Sequence, residues 1–156
     1  MIEVEIPGKE KIILNYLVSD FTGTLSVDGN LIPGVKEKLN ELAEKLKIYI
    51  LTADTFGKAK TALEGVKAEV IILSPGNEDV QKEEFVKKLG AEKVVAFGNG
   101  RNDRRLLKVA KIGIAVLLEE GCAVETLLNA DIVVKSPIDA IDLLLNPKRL
   151  IADLRA

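Results

Sequence analysis

The chain has 156 residues, of which 47% are hydrophobic and 29% charged, with a formal net charge of -2. That length suits one domain with a sizeable core, read here as spanning 1–156, and the near-neutral charge argues against a general nucleic-acid or acidic-membrane binder. Histidine is absent and Cys122 is the one cysteine. This excludes histidine-based triads, histidine metal sites, an internal disulfide and a cysteine zinc site. Acid–base chemistry must use carboxylates, lysines or tyrosines, and a metal is expected to be a hard, oxygen-bound cation such as magnesium. No apolar run approaches membrane-spanning length, and Met1–Glu5 lacks the features of a signal peptide, so a cytoplasmic protein is expected.

Short β-branched runs alternate with amphipathic segments, which predicts an α/β fold. Ile2–Ile6 and Lys11–Tyr16 flank Pro7-Gly8 as a hairpin, and Leu17–Asp20 reads as a buried strand end. Asp28-Gly29 is a tight-turn signal that makes Leu25–Leu31 a small hairpin flap. After Pro33, residues Val35, Leu39, Leu42, Ala43 and Leu46 share one helical face. Strand Ile48–Thr52 precedes a helix over Lys58–Leu63, and strand Val70–Leu73 ends at Ser74-Pro75-Gly76. Helix Glu78–Leu89 stops at Gly90. Strand Val94–Phe97, the turn Gly98-Asn99-Gly100 and helix Asp103–Ala110 follow, with Asn102 as the candidate N-cap. Strand Ile112–Val116, helix Cys122–Asn129, strand Ile132–Val134, helix Ile138–Leu145 and a tail from Pro147 complete the chain.

Three strands end in polar clusters: Asp20 with Thr22 and Thr24, Thr52 with Asp54, and Asn99 with Asn102 and Asp103. A parallel sheet gathers such ends on one edge, where ligands bind. Asp20 at a strand end can attack phosphorus as a carboxylate. Gly23 lets the backbone turn close to a phosphate, with free N–H groups there to cradle its oxygens. On local sequence alone, Asp20 serves equally well as a turn cap, whereas Thr52 reads first as a local turn former and Lys82 as a solvated surface lysine. Lys87 and Lys88 compete with Lys82 for a phosphate-facing role.

In combination, these segments resemble the haloacid-dehalogenase superfamily. Asp20-Phe21-Thr22-Gly23-Thr24 looks like its first motif and Leu51-Thr52-Ala53-Asp54 its second. Lys82 stands where the third-motif lysine is expected, and Gly98-Asn99-Gly100-Arg101-Asn102-Asp103 looks like the fourth. The run Gln81–Leu89 is similar to copper-pump phosphorylation domains, and the whole pattern resembles stand-alone soluble relatives of P-type ATPases. The resemblance implies a Rossmann-like three-layer sandwich on a central parallel sheet, with a small flap and no large cap. It implies Asp20 as nucleophile and magnesium ligand, with Thr22 giving its backbone carbonyl to the metal. Thr52 and Lys82 would hold the phosphoryl group, while Asn99 and Asp103 complete or support the metal site. Gly23, Thr24, Ala53 and Asp54 would lie against the substrate.

The resemblance thus implies a magnesium-dependent phosphohydrolase acting on a phosphorylated small molecule or phosphoprotein. Two departures bear on it. Thr22 stands where the family's phosphatases carry an acid/base aspartate, so a slow enzyme is expected. Asn99 stands where the pumps carry a metal-binding aspartate, so weak metal binding is expected. A catalytically weak binding or regulatory module and a soluble ATPase-like hydrolase are the alternatives. No GxxxxGK[ST] loop occurs, and the Gly98–Asp103 turn lacks the third glycine of a dinucleotide fingerprint. The apolar tail residues Leu150, Ile151 and Leu154 leave two readings open: a homo-oligomeric contact, or packing on their own domain.

Overall fold

The computed structural model describes residues 1–53 and 57–156. Its centre is a six-stranded parallel sheet in the order β10-β9-β8-β3-β6-β7. These strands are β3 (Tyr16–Asp20), β6 (Lys47–Thr52), β7 (Glu69–Ile72), β8 (Val94–Gly98), β9 (Ile112–Val116) and β10 (Ile132–Val134). The chain starts in the middle, winds outward through β6 and β7, then returns to lay β8 on the other side of β3. The strand order therefore reverses between β3 and β8, and this is the point where open α/β sheets leave a crevice at their carboxyl ends.

Both faces of the sheet are covered, which explains the near-continuous apolar runs of β3, β8 and β9. Alternation along each strand divides the side chains between two cores. Leu17, Ile50, Val95 and Phe97 face a core with α1 (Val35–Leu42), α6 (Pro137–Leu145) and α7 (Pro147–Leu154). Val18, Leu51, Ala96 and Ala115 face the opposite core, with Val86 of α3 (Glu78–Leu89) and Leu106 and Leu107 of α4 (Arg104–Val109). The antiparallel hairpin β1 (Ile2–Val4) and β2 (Ile12–Leu14) adds Ile2, Val4 and Leu14 to the first core.

The flap is the hairpin β4 (Ser26–Val27) and β5 (Asn30–Leu31), inserted between β3 and α1. Asp28 and Gly29 both take positive φ, 52° and 80°. That is the backbone a two-residue hairpin loop of type I′ needs, and it explains the Asp-Gly pair. The short helices α2 (Lys58–Ala62) and α5 (Val124–Leu128) complete the described α-helices. No cap domain occurs among the described residues, and none of their helices is long and apolar enough to cross a membrane.

Two expectations change. The tail after Pro147 is a helix, α7, whose proline sits in the first turn. Leu150 is fully buried, and Ile151 and Leu154 pack against the first core. The tail's apolar residues are thus taken up within the chain. Asn102 is not an N-cap, because Arg101–Asp103 forms a 3-10 turn leading directly into α4.

Candidate active site

The carboxyl ends of β3 and β8 bring Asp20 and Asn99 to the crevice. Asp20 has the same strand parity as Val18, so it faces the α3–α4 layer. Lys82 shares the inward face of α3 with Val86, one turn away, and both are buried. Helix α3 is aimed by a turn in which Gly76 and Asn77 both take positive φ. The Gln81 side chain fastens that turn: its oxygen accepts the Ser74 N–H, and its amide donates to the Ser74 and Gly76 carbonyls.

The result is a buried ionic trio. Lys82 Nζ lies 3.0 Å from Asp20 Oδ1 and 2.7 Å from Asp103 Oδ1, and 3.3 Å from Asn102 Oδ1. Asp103 is fully buried, and its other oxygen accepts the N–H groups of Asn99 and Gly100, each at 3.0 Å. Both Asp103 oxygens are thereby engaged in holding Lys82 and the 98–100 turn. The Thr24 hydroxyl sits 3.0 Å from both Asp20 Oδ2 and Asn99 Oδ1 and shares its proton between them. The Asn99 amide donates to the Gly121 carbonyl at 3.1 Å.

Two glycines make this close packing possible. A Cβ on Gly23, whose φ is +78°, would lie 2.3 Å from Asn99 Nδ2. A Cβ on Gly98 would lie 2.5 Å from Asp103 Cβ. The Gly23 N–H expected to face a phosphate instead donates to the Ser26 carbonyl, and the Thr24 N–H to the Phe21 carbonyl. In this structure the two residues position Asp20 and Asn99 and present no free N–H of their own.

Burial raises the Asp20 carboxyl, and the charge of Asp103 adds to it; Lys82 and Thr24 only partly oppose them, leaving Asp20 pushed up to about 7. Burial alone would lower the Lys82 ammonium, but the charges of Asp20 and Asp103 outweigh it and hold the lysine protonated well above its usual range. With all three groups ionised, the trio carries one net negative charge. An added cation beside Asp20 relieves that imbalance.

A cavity of about 510 Å³ opens over the trio. Asp20, Thr22, Thr52, Ala53, Lys82 and Asn99 all line it. Asp54 lies outside the described residues. Lys87 and Lys88 are exposed on the far turn of α3, so Lys82 is the one of these three lysines that reaches the cleft. Sequence reasoning missed Lys58, Glu78 and Glu120, which also line the cavity. No local pattern marks them, because they arrive from three separate elements. The oxygens of Asp20, Asn99 and the Thr22 backbone suit a hard cation. Among the described residues no group of three or more His, Cys, Asp or Glu could hold a metal.

Residues 37–136 match the family model described as haloacid dehalogenase-like hydrolase. The chain is 48% identical over 84 residues to an uncharacterized protein of Methanocaldococcus jannaschii, covering 51% of this chain and 90% of that protein. It is 34% identical over 139 residues to a probable copper-transporting ATPase of Arabidopsis thaliana, covering 84% of this chain but only 14% of the transporter. Among solved structures, it resembles 3-deoxy-D-manno-octulosonate 8-phosphate phosphatase from Moraxella catarrhalis, in complex with magnesium, phosphate and the sugar acid. That match has a TM-score of 0.70 and 17% identity, covering 89% of this chain and 92% of the other. At that identity, the likeness is one of fold.

Proposed function

The chain belongs to the haloacid dehalogenase-like hydrolase family, and from that premise we propose that it is a magnesium-dependent phosphohydrolase working through an aspartyl-phosphate on Asp20. The observation that carries this reading is the buried Asp20 carboxylate at the sheet's switch point, with Lys82 Nζ 3.0 Å away and the cleft above both.

In the proposed reaction, Asp20 attacks the phosphorus of a phosphate ester or anhydride, and the bond to the leaving-group oxygen breaks. Water then attacks the acyl phosphate, releasing inorganic phosphate and restoring the carboxylate. Lys82 and Thr52 hold the phosphoryl oxygens, the lysine as a fixed cation. Asp103 keeps Lys82 in place and holds the 98–100 turn, and Thr24 fixes the rotation of the Asp20 carboxylate. Asp20, the Thr22 carbonyl and Asn99 would hold magnesium, whose charge neutralises the transferring group. Thr22 cannot donate or accept a proton as a carboxyl group does, so turnover is slow and favours good leaving groups. A phosphorylated small molecule is the proposed substrate class, after the phosphatase from Moraxella catarrhalis whose fold the chain resembles.

The test is magnesium-dependent hydrolysis of an aryl phosphate by wild type and by Asp20→Asn. The variant is nearly isosteric and is expected to keep its circular dichroism spectrum while losing activity. Wild-type turnover by a folded variant would overturn the mechanism.

A further inference from the structure

Beside the main cavity lies a second hollow of about 420 Å³, between the flap and α2. Gly29 and Lys58 line both hollows, so the two adjoin at the flap tip. Glycines at positions 29 and 57 border the second hollow, and a Cβ at either would meet nothing within 4 Å. Beyond them the groove is walled by Asp28, Asn30, Thr61 and Ala62, so one exposed carboxylate shares it with the Lys58 ammonium without pairing with it.

Charge is distributed unevenly along this path. Among the cavity carboxylates outside the ionic trio, Glu78 accepts a hydrogen bond from the Asn102 amide. Glu120 accepts the Asp28 N–H, tying the flap tip to the far wall at 3.0 Å. Lys58 differs. Its ammonium makes no ion pair or hydrogen bond among the described residues, although it stands where the two hollows meet. A cation on a cleft wall that no described residue pairs attracts an anion from the ligand.

We propose that Lys58 and the flap–α2 groove form a second anion subsite, which selects phosphate esters whose leaving group carries a carboxylate. This rests on the phosphohydrolase reading of Asp20. The phosphoryl group sits over Asp20 and Lys82, the leaving group runs past Gly29, and its carboxylate meets Lys58.

The test uses phenyl phosphate and a series of its 4-carboxy and 4-carboxyalkyl derivatives, which share one reacting centre and differ in a terminal anion at increasing reach. Wild type is expected to show a lower KM for at least one carboxylated ester than for phenyl phosphate. Lys58→Ala should raise the KM of that ester about fivefold relative to phenyl phosphate, the scale of a partly exposed ion pair. Lys58→Arg should retain the preference and Lys58→Glu should reverse it, and added salt should weaken it in wild type. Equal KM changes for both ester types in Lys58→Ala, or no carboxylate preference in wild type, would overturn the subsite. If wild type hydrolyses none of the esters, the phosphohydrolase reading fails on its own. Calorimetric binding of the same esters to Asp20→Asn, with and without Lys58→Ala, then decides the subsite by the same ratio.

Discussion

Replacing Lys82 by methionine tests the ionic trio directly, because the side chain keeps its reach and loses its charge. The lysine is 1% exposed and pairs with Asp20 at 3.0 Å and Asp103 at 2.7 Å. Without it, two buried carboxyl groups face each other unneutralised. Removing one partner of such a pair costs about 3–5 kcal/mol, a large share of a small domain's total of about 5–15 kcal/mol. The pH dependence follows from Asp20. Its folded value, about 7, lies above its unfolded value of 3.8. Its contribution to stability is therefore complete below the unfolded value and is lost as pH rises through the folded one. In wild type this loss runs at up to about 1.4 kcal/mol per pH unit and ends near neutrality. In Lys82→Met the carboxyl is raised further, so the loss continues into the alkaline range and the gap between the two proteins widens there. Urea unfolding of metal-free protein measures this, followed by circular dichroism because the chain has no tryptophan. A gap below about 1 kcal/mol, or one that stays constant from about pH 6 to about pH 9, would refute the reasoning.

Asn99→Asp adds a negative charge beside Asp20 and is expected to tighten magnesium binding in a calorimetric titration. In wild type, inorganic phosphate should tighten magnesium binding instead, since its oxygens add anionic donors to that of Asp20. Gly23→Ala forces a Cβ to within 2.3 Å of Asn99 Nδ2 at a φ of +78°. It should cost about 1–3 kcal/mol in a thermal or urea melt, from left-handed strain and the hydrogen bonds lost as Asn99 moves. Thr22→Asp should raise turnover of alkyl phosphates more than that of aryl phosphates, because a positioned carboxyl group typically contributes ~10²–10⁴-fold where the leaving group needs a proton. A uniform change across a matched leaving-group series would show that position 22 does not control proton transfer.

Much of this protein is written locally. The inward faces of α1 and α3, the Asp28-Gly29 turn and the β-branched strands follow from side-chain period and backbone preference, which depend on residues a few positions apart. The ends of α3 fall at Glu78 and Leu89, as the pattern predicts. The motif order also placed Asp20, Thr52 and Asn99 at strand ends, where a parallel sheet gathers them. What the sequence could not decide lies in contacts across long separations. Lys82, Lys87 and Lys88 are alike as residues, and only the packing of α3 on the sheet buries the first and exposes the others. Asn102 reads as a cap, yet its amide bridges to Glu78 and its oxygen lies near Lys82, on another helix. Asp103 reads as a metal ligand, but both its oxygens are engaged once Gly98 lets it approach. Gly23 reads as a phosphate loop, and its missing side chain also makes room for Asn99, whose oxygen meets Thr24 across 75 residues of chain. The carboxyl ends of β3 and β8 converge because the chain reverses its winding direction. Which side chains then fill the shared space is a matter of volume and charge that no local window contains.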